Sequence, residues 1–390
     1  MSPTATPVVL QAGFRPLFLL AALAAIAVVL RTVLVLHGVG LPAGNPFAWH
    51  GHELLFGYVA AAMAGFLLTA VPNWTGTAPV AGAPLLAGVA LWLVARVGLW
   101  AGPPAWWAIA ADVAFLPAIA LIAARPLWAR GSGRQWLPLV VVGFLALANA
   151  FWHAAVLLEQ PQLAQRALAF ATMLIALQIA VIGGRITPAF TRNHLAARGG
   201  SAPPRAPDLR DGLAIGASAA VALAEFIEPL AAGWLALLAA PLHALRLHGW
   251  RGTRVWREPL LLVLHAGYAW LAVGYAIRAA ALLGPAWAGP WALHGLLVGA
   301  IGTMTLAVMA RATLGHTGRP LRAGTLLTLA FLALQAAAVS RLLGPWAGAD
   351  AWRLAGALWI AAFALFLLRC GPMLLAPRAD APPGGVVTRP

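Results

Sequence analysis

Residues 49–76 read WHGHELLFGYVAAAMAGFLLTAVPNWTG. Two histidines and a glutamate open the stretch. About 20 apolar residues follow, enough for a helix to cross ~30 Å of hydrocarbon, and Pro72, Asn73 and Trp74 close it. The reading is a membrane helix with a polar, metal-competent mouth. If both are helical, His50 and His52 lie about 200° apart around the axis, so each faces a different neighbour and can serve a different centre. Gly51 between them lets a bulky group or a second backbone approach closely. The plainer alternative is a pair of interfacial histidines hydrogen-bonded to headgroups and loops.

The rest of the 390-residue chain is of the same kind. At 62% hydrophobic and 9% charged it has too little polar surface to wet a soluble globule of that size. The expected fold class is all-α, a polytopic integral membrane protein embedded in a lipid bilayer. All 25 basic residues are arginine, and ten acids leave a formal charge of +15. The arginines recur between apolar spans and do not cluster in one basic domain, so the charge reports topology and not a nucleic-acid partner. Cys370 is the only cysteine, which excludes disulfide frameworks, cysteine-ligated iron–sulfur clusters and CxxCH haem attachment. Any haem is then held non-covalently, with histidine as the available ligand. The N-terminus lacks a charged leader region and its first apolar run continues to about His37, too long for a signal peptide; it reads as a retained first span.

Apolar windows fall at 14–37, 49–71, 80–100, 106–124, 136–158, 167–190, 209–228, 234–246, 259–283, 291–312, 321–343 and 351–370, about 20 residues each. They predict twelve transmembrane helices. The seventh and eighth are short, and Glu225, Glu228 and Pro229 interrupt their hairpin. Under this count eighteen arginines fall on one face against three on the other, Arg166, Arg341 and Arg353, so the positive-inside rule makes both termini cytoplasmic. Span-end tryptophans such as Trp49, Trp74, Trp106, Trp291 and Trp352 fit an aromatic belt. A Pro- and Gly-rich cytoplasmic loop, 198–207, divides one transmembrane domain into two six-helix halves, 1–197 and 208–390. A faint echo relates HELLFG at 52–57 and TG at 75–76 to HGLLVG at 294–299 and TG at 317–318. It places His52 and His294 at equivalent depth on parallel helices.

Ionisable groups inside hydrocarbon are costly and face a cavity, a partner or a cofactor. At ~1.5 Å per residue they sort into two layers. Near the outer surface lie His37, His50, His52, Glu53, His153 and His294, with Arg31, Arg96, Arg278, Asp112, Glu225 and Glu228. In the inner half lie His243 and His265, with Arg185, Tyr268 and the loop residues His194, His248 and His316. Imidazoles suit iron and copper, whereas alkali-ion or sugar sites more often use carboxylates and carbonyls. The outer layer therefore predicts a metal, with His50, His52, His153 and His294 as ligand candidates and His265 a further one. His52 and His294 are a possible axial pair for haem b. His50, His153 and His37 are then left for copper, with Glu53 fixing an imidazole tautomer. His243 and His265 are either a hydrogen-bonded pair or the site of a second haem. Arg185, Arg311 and Arg319 are either propionate partners, because guanidinium forks match carboxylates, or cytoplasmic anchors. Met63, Met304 and Met309 read as packing.

The phrases FRPLF (14–18), WHGHELLFG (49–57), GFLLTAVPNWTG (65–76), RITPAFT (185–191), LHAGYAW (264–270) and GTMTLAVMARATLGHTGR (302–319) resemble the NnrS family. That family comprises bacterial inner-membrane proteins, linked to nitric oxide and denitrification, that contain haem and copper. The resemblance implies a haem–copper protein that relieves nitrosative stress. His50, His52, His265, His294 and His316 fall on family phrases, His243 on a shorter one and His153 on a looser one, while His37 and His194 have no counterpart. The layout is also similar to haem–copper oxidases, which use twelve helices and hold a haem between histidines on their second and tenth. Here the sixth and seventh windows carry no histidine, so the copper site of those enzymes does not transfer.

Two functions follow. The first is an oxidoreductase like nitric oxide reductase, turning 2 NO, 2 e⁻ and 2 H⁺ into N₂O and water. Membrane quinol would be the donor and Glu53 the catalytic carboxylate, with protons drawn from outside because the span carboxylates lie there. The alternative is a non-enzymatic sensor, scavenger, or transporter of haem or copper.

Overall fold

The computed structural model describes residues 6–39, 45–101, 105–199, 203–284 and 290–380; Arg389 and part of the 198–207 segment lie outside them. Among the described residues there is no strand, and the chain is built from twelve long helices. They are α1 (Phe14–Leu36), α2 (Pro46–Thr75), α3 (Ala83–Ala101), α4 (Trp106–Arg130), α5 (Gly133–Leu157), α6 (Pro161–Ala197), α7 (Leu209–Ile227), α8 (Pro229–His248), α9 (Pro259–Leu283), α10 (Trp291–His316), α11 (Gly324–Ala347) and α12 (Ala349–Leu375).

Eleven of these are long and apolar enough to cross a membrane, so the chain is a polytopic membrane protein. The exception to the expected twelve is α7, whose 19 residues include Arg210, Asp211 and Glu225. Those charges are paired within the bundle: Asp211 bonds Arg246 of α8 at 2.6 Å and Glu225 bonds Arg278 of α9. The eighth helix starts at Pro229, five residues before the expected window. Proline is pre-set for a first helical position, and the Glu228 side chain accepts from the Leu230 amide at 3.3 Å. The sixth is 37 residues long and overruns its window at both ends.

Every fourth helix is central. The apolar windows of α2, α6 and α10 are 83%, 94% and 67% buried, against 33–44% for α1, α3, α4, α8, α11 and α12. The three touch one another, and α1 packs on α12 to close the outer ring. Each central helix also widens to i→i+5 hydrogen bonding, at Glu53–Val59, Ile179–Gly183 and Gly295–Gly302. Such turns displace backbone groups and mark functional regions. Side chains from outer helices take up two of the carbonyls: Trp92 Nε1 donates to Gly57 O at 3.0 Å, and Arg246 Nη1 to Ala180 O at 2.6 Å. In α10 the Thr305 hydroxyl bonds Ile301 O at 2.7 Å. His52 and His294 each stand immediately before a widened turn, the structural counterpart of the sequence echo between α2 and α10.

The α1–α2, α3–α4, α5–α6, α7–α8, α9–α10 and α11–α12 connections share what is called here the hairpin end, and the arginine-rich loops the other. Between α6 and α7 the Arg205 guanidinium hydrogen-bonds Asp208 and holds its carboxyl below the usual carboxylate range. A depressed carboxyl contributes stability above its unfolded value and loses it as pH falls through the lowered one. The protection of the amides of residues 208–211 against hydrogen exchange, relative to their intrinsic rates at each pH, is therefore expected to hold from neutral pH down and to fall only below about pH 4. Protection lost near neutrality would show that another group holds this loop.

Candidate metal centre

Four helices bring their polar groups together two turns from the hairpin end. In α2, Asn45 caps the N-terminus, its Oδ1 accepting from the Phe47 amide at 2.9 Å, and Pro46 takes the first helical position. Gly51 lies against Leu168 of α6, where a Cβ would come within 3.0 Å of Leu168 Cδ1. That close seat turns His50 and His52 to different neighbours. His50 Nδ1 bonds Thr32 Oγ1 of α1 at 2.8 Å. His52 turns inward to Asp112 of α4 and to Asn149 and His153 of α5.

The inward group is sealed, with His52 at 1%, Glu53 at 0%, Asp112 at 2% and His153 at 3% exposure. His52 Nδ1 lies 3.2 Å from Glu53 Oε1, and its Nε2 lies 3.0 Å from Asn149 Oδ1 and 3.2 Å from Asp112 Oδ2. Asn149 cannot be turned over, because its Nδ2 faces Asp112 Oδ2 at 2.8 Å and Asp112 O at 3.3 Å. Both ring nitrogens of His52 thus lie within hydrogen-bond reach of oxygen atoms. Arg96 of α3 bonds Glu53 Oε1 at 3.0 Å and also bonds Asp112 Oδ1. One guanidinium thus pairs both buried carboxylates, which meets the requirement that buried charges be paired.

Around it, Trp100 Nε1 donates to Glu53 Oε2 at 2.5 Å, Trp152 stacks on His52 with ring centroids 4.0 Å apart, and His153 Nε2 donates to Asp112 Oδ2 at 2.9 Å. Among the described residues, His52, Asp112 and His153 are the group whose ligand atoms all lie within 4.8 Å of one another. Two of the three donors, His52 and Asp112, are oriented from behind. Glu53 holds His52 Nδ1 and leaves Nε2, and Arg96 holds Asp112 Oδ1 and leaves Oδ2. This is the carboxylate–histidine–metal arrangement.

The NnrS protein family matches residues 8–378. The chain belongs to the NnrS family. No curated protein matches it in sequence.

For this NnrS-family chain the other expected residues fall elsewhere. His243 is saturated. Its Nδ1 bonds the Tyr268 hydroxyl and its Nε2 the Ser218 hydroxyl, both at 2.8 Å. The Tyr268 oxygen in turn accepts from Arg246 Nη1 at 2.7 Å. His265 Nδ1 bonds Leu261 O at 3.0 Å while its Nε2 is buried with no hydrogen bond. His294 opens the widened turn of α10, outside the three-residue group. The arginines expected at propionates are engaged locally: Arg185 donates to Arg134 O at 3.0 Å, Arg311 lies 3.9 Å over the Phe190 ring, and Arg319 donates to Thr317 O at 3.2 Å. His37 is at the exposed end of α1 beside Arg353. Asn149 and Trp100 join the site without having been expected there. The signal was available as helical spacing, Trp92, Arg96 and Trp100 on one face of α3 and Asn149 and His153 on one face of α5.

Proposed function

We propose that this chain binds nitric oxide at a metal held by His52, Asp112 and His153 and reduces it, 2 NO + 2 e⁻ + 2 H⁺ → N₂O + H₂O, with membrane quinol as donor. The observation that carries the reading is the sealed group of two imidazoles and one carboxylate with both of its outer atoms already anchored. Such donors suit Cu(II) or Fe(II); copper would take the place of the hydrogens on His52 Nε2 and His153 Nε2, and His52 Nε2 would give up its contact with Asn149 Oδ1 while Asp112 Oδ2 stayed beside it as a ligand. Bound there, copper supplies one-electron chemistry and a Lewis-acidic position for NO.

Haem b fits less simply. His52 is ready for an axial bond only if its Nε2 leaves Asn149 and Asp112, and His243 has no nitrogen to offer. His265 Nε2 is bare, but a Cβ at Gly252 would come 3.2 Å from it. A haem plane needs the Gly252–Val255 turn to move away. No step is therefore derived through haem.

The residues around the metal position supply the rest. Arg96 keeps Glu53 and Asp112 ionised as a pair. Glu53 Oε2, bonded to Trp100 one residue short of the end of α3, is the atom placed to hold a proton on the hairpin side. The other buried span carboxylates, Asp112 and Glu225, lie toward the same end, as does the exposed Glu228 between α7 and α8. Asp208, Asp211 and Glu258 sit in or beside the loops of the arginine-rich end. We take the hairpin end as periplasmic, both termini as cytoplasmic, and the bacterial inner membrane as the location, on the arginine count. Protons then come from the periplasm. NO, small and lipid-soluble, needs no charged funnel.

Purified protein supplied with reduced quinol is expected to consume many NO per metal, measured with an NO electrode. About one NO per metal would replace the enzyme reading by a second one, NO or metal handling without turnover, which the complete enclosure of the site also favours. Vesicles taking up protons from the arginine-rich side would overturn the proton route.

A further inference from the structure

The arginine-rich end, opposite the metal centre, holds a cleft that the reaction above does not use. The end of α6 and the first turns of α9 and α11 leave between them a space of about 670 Å³, with Arg198, Glu258, Leu321, Arg322, Thr325 and Leu329 in its walls. Its charges do not balance. Arg198 Nη2 donates to Glu258 Oε1 at 2.6 Å, and His194 Nε2 stands 3.8 Å from the same oxygen, so this carboxylate is engaged. No acid is left for Arg322. Eight of the chain's ten acids are bonded to other arginines. The remaining two, Glu159 and Glu228, are exposed at the α5–α6 and α7–α8 connections, at the hairpin end. The cleft therefore presents one uncompensated guanidinium and has room for an anion beside it.

Helix α11 adds donors to the same space. Its N-cap residue, Ala323, supplies no side-chain cap, and Gly324 and Thr325, whose amides open the helix, line the cleft. First-turn amides and a guanidinium are what phosphate oxygens accept from. The other wall is apolar. Leu321 and Leu329 are each 48% exposed. Thr325 and Leu329 stand four residues apart and so share one face of α11, and Leu329 carries that wall more than a turn into a helix of membrane length. A soluble anion would use the donors and leave the leucines uncovered. A phospholipid uses both, its phosphate at the loop end and its acyl chains along the leucines.

We propose that this cleft binds an anionic phospholipid of the phosphatidylglycerol kind, with the phosphate on Arg322 and the first amides of α11 and the acyl chains against Leu321 and Leu329. Basic pockets between membrane helices hold anionic headgroups in this way. A singly charged headgroup balances the one unpaired guanidinium. The site stands whether or not the chain reduces NO.

The test is native mass spectrometry of the detergent-purified full chain titrated with phosphatidylglycerol, with phosphatidylethanolamine, and with glycerol 3-phosphate as a competitor that has no acyl chains. Phosphatidylglycerol is expected to bind at least about fivefold tighter than phosphatidylethanolamine, the factor that one arginine contributes toward an anionic lipid. Arg322→Ala is expected to lose about that factor. Arg130→Ala, which removes an exposed arginine of the same end outside the cleft, is expected to bind as the parent does. Thr325→Trp fills the cleft without touching its charge and is expected to lose the tightly bound lipid; it decides the matter should Arg322→Ala misfold. Equal losses in Arg322→Ala and Arg130→Ala would overturn the site in favour of diffuse attraction to the whole arginine-rich face. Full phosphatidylglycerol affinity in Thr325→Trp would overturn the cleft as the place of binding. Displacement of the lipid by glycerol 3-phosphate would overturn it in favour of a soluble anion, and equal affinity for the two lipids in favour of ordinary annular contact.

Discussion

Replacing Asp112 by alanine is expected to destabilise the protein by about 3–5 kcal/mol, the cost of breaking a buried ion pair from one side. The readout is the thermal unfolding midpoint in detergent. Four donors converge on this one carboxylate: Arg96 on Oδ1, and Asn149, His153 and His52 on Oδ2 at 2.8, 2.9 and 3.2 Å. Alanine strands Arg96 Nη2 and His153 Nε2 in a sealed site, while Asn149 Nδ2 keeps the backbone carbonyl of residue 112 and His52 Nε2 keeps Asn149 Oδ1. Arg96 cannot give up its proton, so its charge would stay buried against Glu53 alone. Asp112→Asn separates charge from hydrogen bonding. An amide oxygen still accepts from Arg96, whose charge stays paired with Glu53, so the expected loss is smaller, about 1–3 kcal/mol. Equal losses in the two variants would mean that packing at position 112, and not the carboxylate, holds the four helices together.

The fold was mostly legible in the sequence because a bilayer imposes one strong demand. Every span must be about 20 apolar residues with its backbone bonded internally. The windows fell short where that demand is relaxed by protein neighbours. Helix α6 is enclosed over its apolar window, 94% buried, but its polar last turns, through Arg192 and His194, run on exposed or half-exposed beyond any lipid-sized window. Helix α7 keeps Asp211 and Glu225 because Arg246 and Arg278 meet them. The site was half legible. His52, Glu53 and His153 stand out as costly groups in hydrocarbon, and so did Arg96 and Asp112, without a role. Asn149 and Trp100 carry no charge and announce themselves only by i,i+4 spacing to His153 and Arg96. What no spacing on a single helix can give is which faces of α2, α3, α4 and α5 meet. The structure brings His52 together with His153 and Asp112, and closes His243 into a hydrogen-bonded chain with Tyr268 and Ser218.

Copper content separates this division from its rivals. His52→Ala and His153→Ala are each expected to lower tightly bound copper at least about tenfold, since loss of an outer-sphere partner alone typically costs 10–100-fold in affinity. Metal analysis of the purified variants is the measurement, and it reads iron in the same run. Glu53→Gln is expected to fall in the outer-sphere range itself. Its amide can turn its oxygen to His52 Nδ1 or to Arg96, but it no longer offers a charge to both, so a chelator should strip the metal from it more readily. His243→Ala is expected to keep its copper, because neither of its ring nitrogens is free and its partners lie toward the arginine-rich end. His265→Ala is expected to keep copper too, and its optical spectrum tests the one bare Nε2 of that layer, through loss or survival of a haem band. Copper lost with His243 and retained with His52 would place the metal in the other layer. The group of Arg96, Glu53, Asp112 and His52 would then be an ion-paired brace between three helices, complete without an ion.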